Sequence, residues 1–123
     1  MRLLVLIFAF LWTGLAVSAE TRLVMAEAEG CVWCERWEAQ IGPIYPKTPE
    51  GQAAPLMMIN ARSEVPDGLK LKRPIVFTPT FILTVDGHEI ERIEGYPGED
   101  FFWGLLGMML DQAGILARIM PSS

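Results

Sequence analysis

Histidine and cysteine are the scarce residues of this chain, with one histidine and two cysteines in 123 residues. A zinc centre takes about four ligands, and this set does not supply them. A c-type haem needs histidine directly after the second cysteine, and Glu35 stands there. A scaffold stapled by several disulfides is excluded by the same count. Basic residues are also short, 10 against 15 acidic, for a net charge of −5. That deficit argues against nucleic acid and against a strongly anionic membrane partner. The chain has no internal repeat and no low-complexity stretch, and its 123 residues allow one domain. Apolar side chains are plentiful, at 51% of the total, enough for a real core.

Residues 1–19 are set apart from the fold. Arg2 is a minimal positive start, Leu3–Trp12 is an unbroken apolar run, and Val17-Ser18-Ala19 ends in small residues just before Glu20. This is the pattern of a secretory signal peptide, with 20–123 as the mature domain. The competing reading is an uncleaved anchor, since Leu3–Ala19 is near the lower length for a span, roughly 17 residues. The position of the small residues favours cleavage. No cysteine lies near the site, which excludes a lipoprotein anchor.

Both cysteines fall in Gly30-Cys31-Val32-Trp33-Cys34. On the left, Arg22–Glu27 is apolar enough for a central strand. On the right, Glu35–Ile41 reads as a helix, with Trp33, Trp37 and Ile41 spaced by four. A Cys-x-x-Cys at a strand-to-helix junction puts its first sulfur at the helix N-terminus, where free N–H groups and the dipole favour a thiolate. The second sulfur lies one turn in, able to attack a mixed disulfide formed on the first. A bridge closing so short a loop gains little as a staple. The chemistry expected is thiol–disulfide exchange. His88 follows a hairpin turn and reads as an exposed residue, with no reason in the sequence to approach the cysteines. Met57-Met58 and Met108-Met109 read as core filling and not as copper ligands.

Further along, the helix stops near Gly42-Pro43, and Thr48-Pro49 suits a short helix start. Leu56–Ile59 is a buried strand between breakers. Residues 60–73 are polar, with a turn at Pro66-Asp67-Gly68 and at most one turn of helix. Thr80–Val85 is a strand, Asp86-Gly87 a type I′ turn, and His88–Glu94 an alternating strand with one wet face. Glu99 to about Gln112 is a helix with Glu99 and Asp100 in its first turn. It is apolar nearly all round, with Gly104 and Gly107 suited to close approach to the sheet. One half needs a parallel crossover and the other is an antiparallel hairpin, so the fold class is α/β with a mixed sheet.

This order, with the Cys-x-x-Cys at a helix start and Thr78-Pro79 just before a strand, resembles the thioredoxin superfamily. Leu23-Val24-Met25, Gly30-Cys31, Cys34, Tyr45, Pro55-Leu56, Thr78-Pro79-Thr80-Phe81, Asp86-Gly87 and Gly95-Tyr96-Pro97-Gly98-Glu99 are together similar to the small periplasmic SoxS-like thioredoxins of bacterial sulfur-oxidation (Sox) systems. The resemblance covers most of the mature chain. It implies a thioredoxin-like fold, a four-stranded mixed sheet flanked by helices, in the periplasm and without a cofactor. It implies a cis peptide at Pro79 beside the cysteines. It implies a reductase that keeps the cysteine of a sulfur-carrier protein usable, removing a disulfide or other sulfur adduct. Electrons would come from a membrane thiol transporter of the CcdA/DsbD type.

On that resemblance Cys31, Cys34 and Pro79 are the catalytic residues, and Trp33 and Thr78 hold the substrate. Thioredoxin's buried aspartate, six residues before the first cysteine, is replaced by Met25. Proton transfer then falls to Glu27, with Glu29 and Glu35 as alternatives; each competes with a reading as a solvated surface charge, which is the first reading of Glu29 and Glu35. The Val32-Trp33 dipeptide lacks the histidine of the family's strong oxidants, which tilts the pair toward reduction. Trp33 suits either a groove floor or partial burial, whereas Trp37 suits the core. Two other functions stay open: a redox sensor without turnover, and a metal- or partner-binding module on the same scaffold.

Overall fold

The computed structural model describes Gly14 and residues 19–115. The expected signal segment lies almost wholly outside the described residues. Four strands form one sheet in the order β2-β1-β3-β4: β1 (Thr21–Glu27), β2 (Leu56–Asn60), β3 (Thr80–Val85) and β4 (His88–Glu94). β1 runs parallel to β2 and antiparallel to β3, and β3 runs antiparallel to β4. Three helices accompany them: α1 (Val32–Gln40), α2 (Pro49–Ala53) and α3 (Glu99–Gln112). No described helix is long and apolar enough to cross a membrane.

Alternation along β1 divides the core in two. Leu23 and Met25 face α1 and α3, where Trp37, Ile41, Phe81, Leu83, Phe102 and Leu106 are buried with them. Val24 and Ala26 face the other way, with Ile59 and Ile82. No described helix covers that second face. The connection from β2 to β3 does, through Ala61, Leu69, Leu71 and Ile75. Within the connection lies no helix, only turns and an isolated bridge between Lys70 and His88.

Local chemistry explains the boundaries. α1 ends where Gly42 approaches the preceding turn so closely that a Cβ there would sit 2.6 Å from the Glu38 carbonyl. Thr48 caps α2 by accepting from the Gly51 N–H at 3.0 Å, and Pro49 takes the first helical position. Asp86 and Gly87 both have positive φ, as a type I′ hairpin requires. In the core the Tyr45 hydroxyl donates to the Ala54 carbonyl at 2.6 Å. Burial, then the charge of Glu50, pushes that phenol far above its ordinary range.

The structure corrects three expectations. β4 does not alternate between an apolar buried face and a polar wet one, because the ladder is irregular at Leu83/Thr84 and polar Glu89 and Arg92 turn inward while Ile90 turns outward. The stripe on α1 is split, with Trp37 and Ile41 fully buried and Trp33 exposed. Gly104 and Gly107 make no close approach, since a Cβ at either would meet nothing within 4 Å. α3 buries Phe102, Leu106, Met109 and Leu110 and leaves Phe101, Leu105 and Met108 toward solvent.

Candidate active site

Cys31 is the N-cap of α1, with extended backbone (φ −83°, ψ 101°), following a turn in which Gly30 holds φ +76°. Its sulfur accepts from the Cys34 N–H at 3.1 Å. That is the contact expected to favour a thiolate once the bond is reduced, since the helix N-terminus offers otherwise unpaired N–H groups. Cys31 and Cys34 are joined in a disulfide, with Cα atoms 5.2 Å apart. Cys31 is half-buried, whereas Cys34 is 2% exposed and packs into the helical core. The two sulfurs therefore differ in access, one facing the rim and one behind it.

The Thr78–Pro79 peptide is cis. Pairing of Ala26 with Thr80 puts Pro79 at the end of β3 adjacent to the end of β1, from which the cysteine loop departs. The Pro79 carbonyl accepts from the Gly95 N–H at 2.7 Å, and the Thr80 hydroxyl donates to the Phe77 carbonyl at 2.6 Å. These bonds fix the segment at both sides of the proline. Trp33, Phe77, Thr78, Glu94, Gly95 and Tyr96 line one groove there. Trp33 is 51% exposed and Phe77 56% exposed, so the groove is flanked by open aromatic surface. The Arg36 guanidinium lies 4.7 Å over the Trp33 ring. Behind it, the Tyr96 hydroxyl donates to Gln40 Oε1 at 2.6 Å and ties α1 to the loop before α3.

On the other side of the cysteines Glu27, Glu38, Cys31, Cys34 and Asn60 line a hollow of about 370 Å³, with Glu29 and Glu35 at its mouth. Glu27 is raised above the ordinary carboxylate range by burial first, then by the charge of Glu38 and a hydrogen bond with it. Met25 lies in the helical core with Cys34. An acid is thus present near the inner sulfur, but two residues further along β1 than in thioredoxin. His88 pairs with Val85 at the hairpin end of the sheet, whereas the cysteine loop borders the Thr80–Glu94 end.

The chain is similar to the periplasmic thioredoxin SoxS from Paracoccus pantotrophus, solved in its reduced form: 52% identity, covering 76% of this chain and 99% of that one, with a TM-score of 0.75. The chain belongs to the SoxS family of periplasmic thioredoxins. No family model and no curated protein matches it. As a SoxS-type thioredoxin it is a thiol–disulfide oxidoreductase of the periplasm, with its disulfide at Cys31–Cys34. Of the residues expected at the site, Trp33 and Thr78 line the first hollow, Cys31, Cys34 and Glu27 line the second, and cis-Pro79 follows Thr78 directly. Among the lining residues of this SoxS-type site that the sequence reading did not assign are Glu38, Phe77 and Tyr96. Glu38 had a signal, because it lies four residues after Cys34 and so shares its helix face. Phe77 had one in its place beside Thr78. Tyr96 had one in the Gly95–Glu99 stretch that carries part of the resemblance.

Proposed function

We propose that this protein is a reductase that keeps a cysteine of a partner protein, the sulfur carrier of a Sox-type system, free of disulfides and sulfur adducts. The observation that carries this reading is the asymmetry of the disulfide: Cys31 half-buried at the rim, Cys34 2% exposed behind it. In the reduced protein, Cys31 as thiolate attacks the partner's disulfide. One sulfur of the partner leaves as thiolate and the other stays bound to Cys31. Glu27 takes the Cys34 proton, and Cys34 then attacks Cys31, releasing the second partner thiolate. The partner gains two electrons and the Cys31–Cys34 disulfide forms. A membrane dithiol donor of the CcdA/DsbD type returns the pair to its reduced state.

Other parts of the site support the substrate side of this cycle. Trp33 offers apolar surface, and Thr78 a backbone edge beside cis-Pro79 for an extended partner segment. The raised Glu27 carboxyl suits proton exchange with a thiol, as a base nearer the thiol range transfers protons more readily.

The deciding experiment is Cys34→Ser expressed in the native host. Cys31 should trap the partner as a stable mixed disulfide, identified by mass spectrometry, and the adduct should vanish in Cys31→Ser. A folded Cys34→Ser protein that traps nothing sinks the reading, and a trapped protein outside any sulfur-carrier system removes the Sox assignment alone.

A further inference from the structure

The connection that covers the second sheet face ends at the groove. Its last residues before Thr78 and cis-Pro79 are Val76 and Phe77, 77% and 56% exposed. An irregular segment with open apolar tips has no internal ladder to hold it still. Behind it lies an ion pair, Glu89 and Arg92, each with a side chain 1% exposed. Arg92 Nε donates to Glu89 Oε2 at 2.9 Å, and Nη2 to Glu89 Oε1 at 2.6 Å. Its remaining donors go to main chain: Nη2 to the Arg73 carbonyl at 2.9 Å and Nη1 to the Pro74 carbonyl at 3.2 Å. Glu89 Oε1 also accepts from the Lys72 N–H at 3.1 Å. Arg73 in turn donates to Glu94 Oε1 at 2.9 Å, and Glu94 lines the groove with Trp33 and Thr78.

A buried ion pair is weak evidence of stabilisation, because well-packed apolar residues of similar size often do as well. What this pair does and an apolar pair cannot is grip carbonyls. Every hydrogen bond that the two side chains make outside the pair goes to the backbone of residues 72–74, the last stretch before the exposed tips, with Glu94 Oε1 a further 3.9 Å ion-pair contact of Arg92. The planar guanidinium fork reaches Glu89 and two successive carbonyls at once, a geometry an ammonium cannot copy.

We propose that Arg92, oriented by Glu89, is a positioning residue for the protein substrate: by clamping the Arg73 and Pro74 carbonyls it fixes the Val76–Thr78 rim on which the partner chain docks. The inference rests on the reading that the partner docks along this rim. Arg92 touches neither sulfur, so it governs how well a protein disulfide is held and not how fast Cys31 reacts.

Arg92→Lys tests this, since it keeps a cation opposite Glu89 but loses the fork. Substrates are insulin, as a protein disulfide, and hydroxyethyl disulfide, as a small one, with dithiothreitol as donor. The KM for insulin should rise about tenfold with kcat changed less than about twofold, the pattern of lost binding. The small-disulfide rate should stay at the wild-type value. Amide exchange at Lys70 and Lys72, the hydrogen-bonded amides nearest the rim, should accelerate about tenfold while Cys34 and Trp37 keep their protection. Should Arg92→Lys fail to fold, the double variant Glu89→Met with Arg92→Met removes the pair without stranding a charge and should show the same pattern. An unchanged insulin KM, unchanged exchange at Lys70 and Lys72, or a small-disulfide rate that falls in step with insulin overturns the proposal. A wild-type protein that reduces neither disulfide counts against the exchange cycle itself, and amide exchange still decides whether the clamp exists.

Discussion

The two faces of the sheet are closed by different means. On one, α1 and α3 press Trp37, Phe102, Leu106 and Leu110 onto Met25, Phe81 and Leu83. Trp37 alone meets Phe81 at 5.2 Å and Phe102 at 5.6 Å between ring centroids. On the other, Val24, Ala26, Ile59 and Ile82 meet a chain without helix or strand, and a buried Glu89–Arg92 pair ties that chain down. The helical face is held by apolar area, which has no direction. The strapped face is held by a few directed bonds. Each face delivers one wall of the site: α1 brings the cysteines, and the strap brings Thr78 and Pro79. The difference teaches that in a small domain the reacting group and the substrate wall can be stabilised independently.

The largest effect expected is on the helical face. Trp37→Ala should cost roughly 3–5 kcal/mol, read from urea unfolding, because it empties the centre of an aromatic cluster. Its Nε1 has no hydrogen-bond partner, so Trp37→Phe should cost much less than truncation. Glu89→Ala on the strapped face should approach the same size, roughly 3–5 kcal/mol, by leaving Arg92 buried without its counter-charge. Removing both members as Glu89→Met with Arg92→Met should return unfolding free energy close to wild type. That non-additivity would break the comparison if absent, since two independent apolar losses would add.

Acid should separate the faces more gently. Burial alone would raise the Glu89 carboxyl, but hydrogen bonds from Arg92 and the Lys72 N–H, with the charges of Arg92 and Arg73, hold it below its ordinary 4.5. A lowered carboxylate contributes stability at neutral pH, and the contribution is lost as pH falls below about 4.5 through the lower folded value. Protection of the Lys70 and Lys72 amides, relative to their intrinsic exchange rate at each pH, should therefore fall in acid before protection in α1. Glu27 runs the other way. Its raised carboxyl favours the protonated form, so its contribution is full below the ordinary pKa and is lost as pH rises through the folded one. Glu27→Gln should then raise Tm slightly at neutral pH while slowing release of the mixed disulfide. The smallest effect on stability belongs to Trp33→Ala, within about 0.5 kcal/mol because the ring is half exposed, with its loss read in the KM for insulin.

The legible parts of this molecule were those with local causes. β1, β3 and α3 announce themselves through runs of apolar side chains, and the hairpin through Asp86-Gly87. The cysteine junction follows from a strand, a glycine and a helix in sequence. Thr78-Pro79 was legible only through resemblance, since nothing local requires a cis bond there. β4 was misread for a physical reason. Glu89 and Arg92 look solvated by type, and only a non-local chain crossing over them, residues 72–74, makes their burial possible. Glu38 went unread because its importance depends on Glu27 from another element.

The same strap has an effect at the margin of the sheet. Lys70 exchanges backbone hydrogen bonds with Gly87 and Glu89, and the Lys72 ammonium bonds the Ile90 carbonyl, so the hairpin end of β4 is already occupied along its outer border. Among the described residues nothing pairs with the outer border of β2. An unpaired strand border is a template for a further chain, and β2 presents one among the described residues.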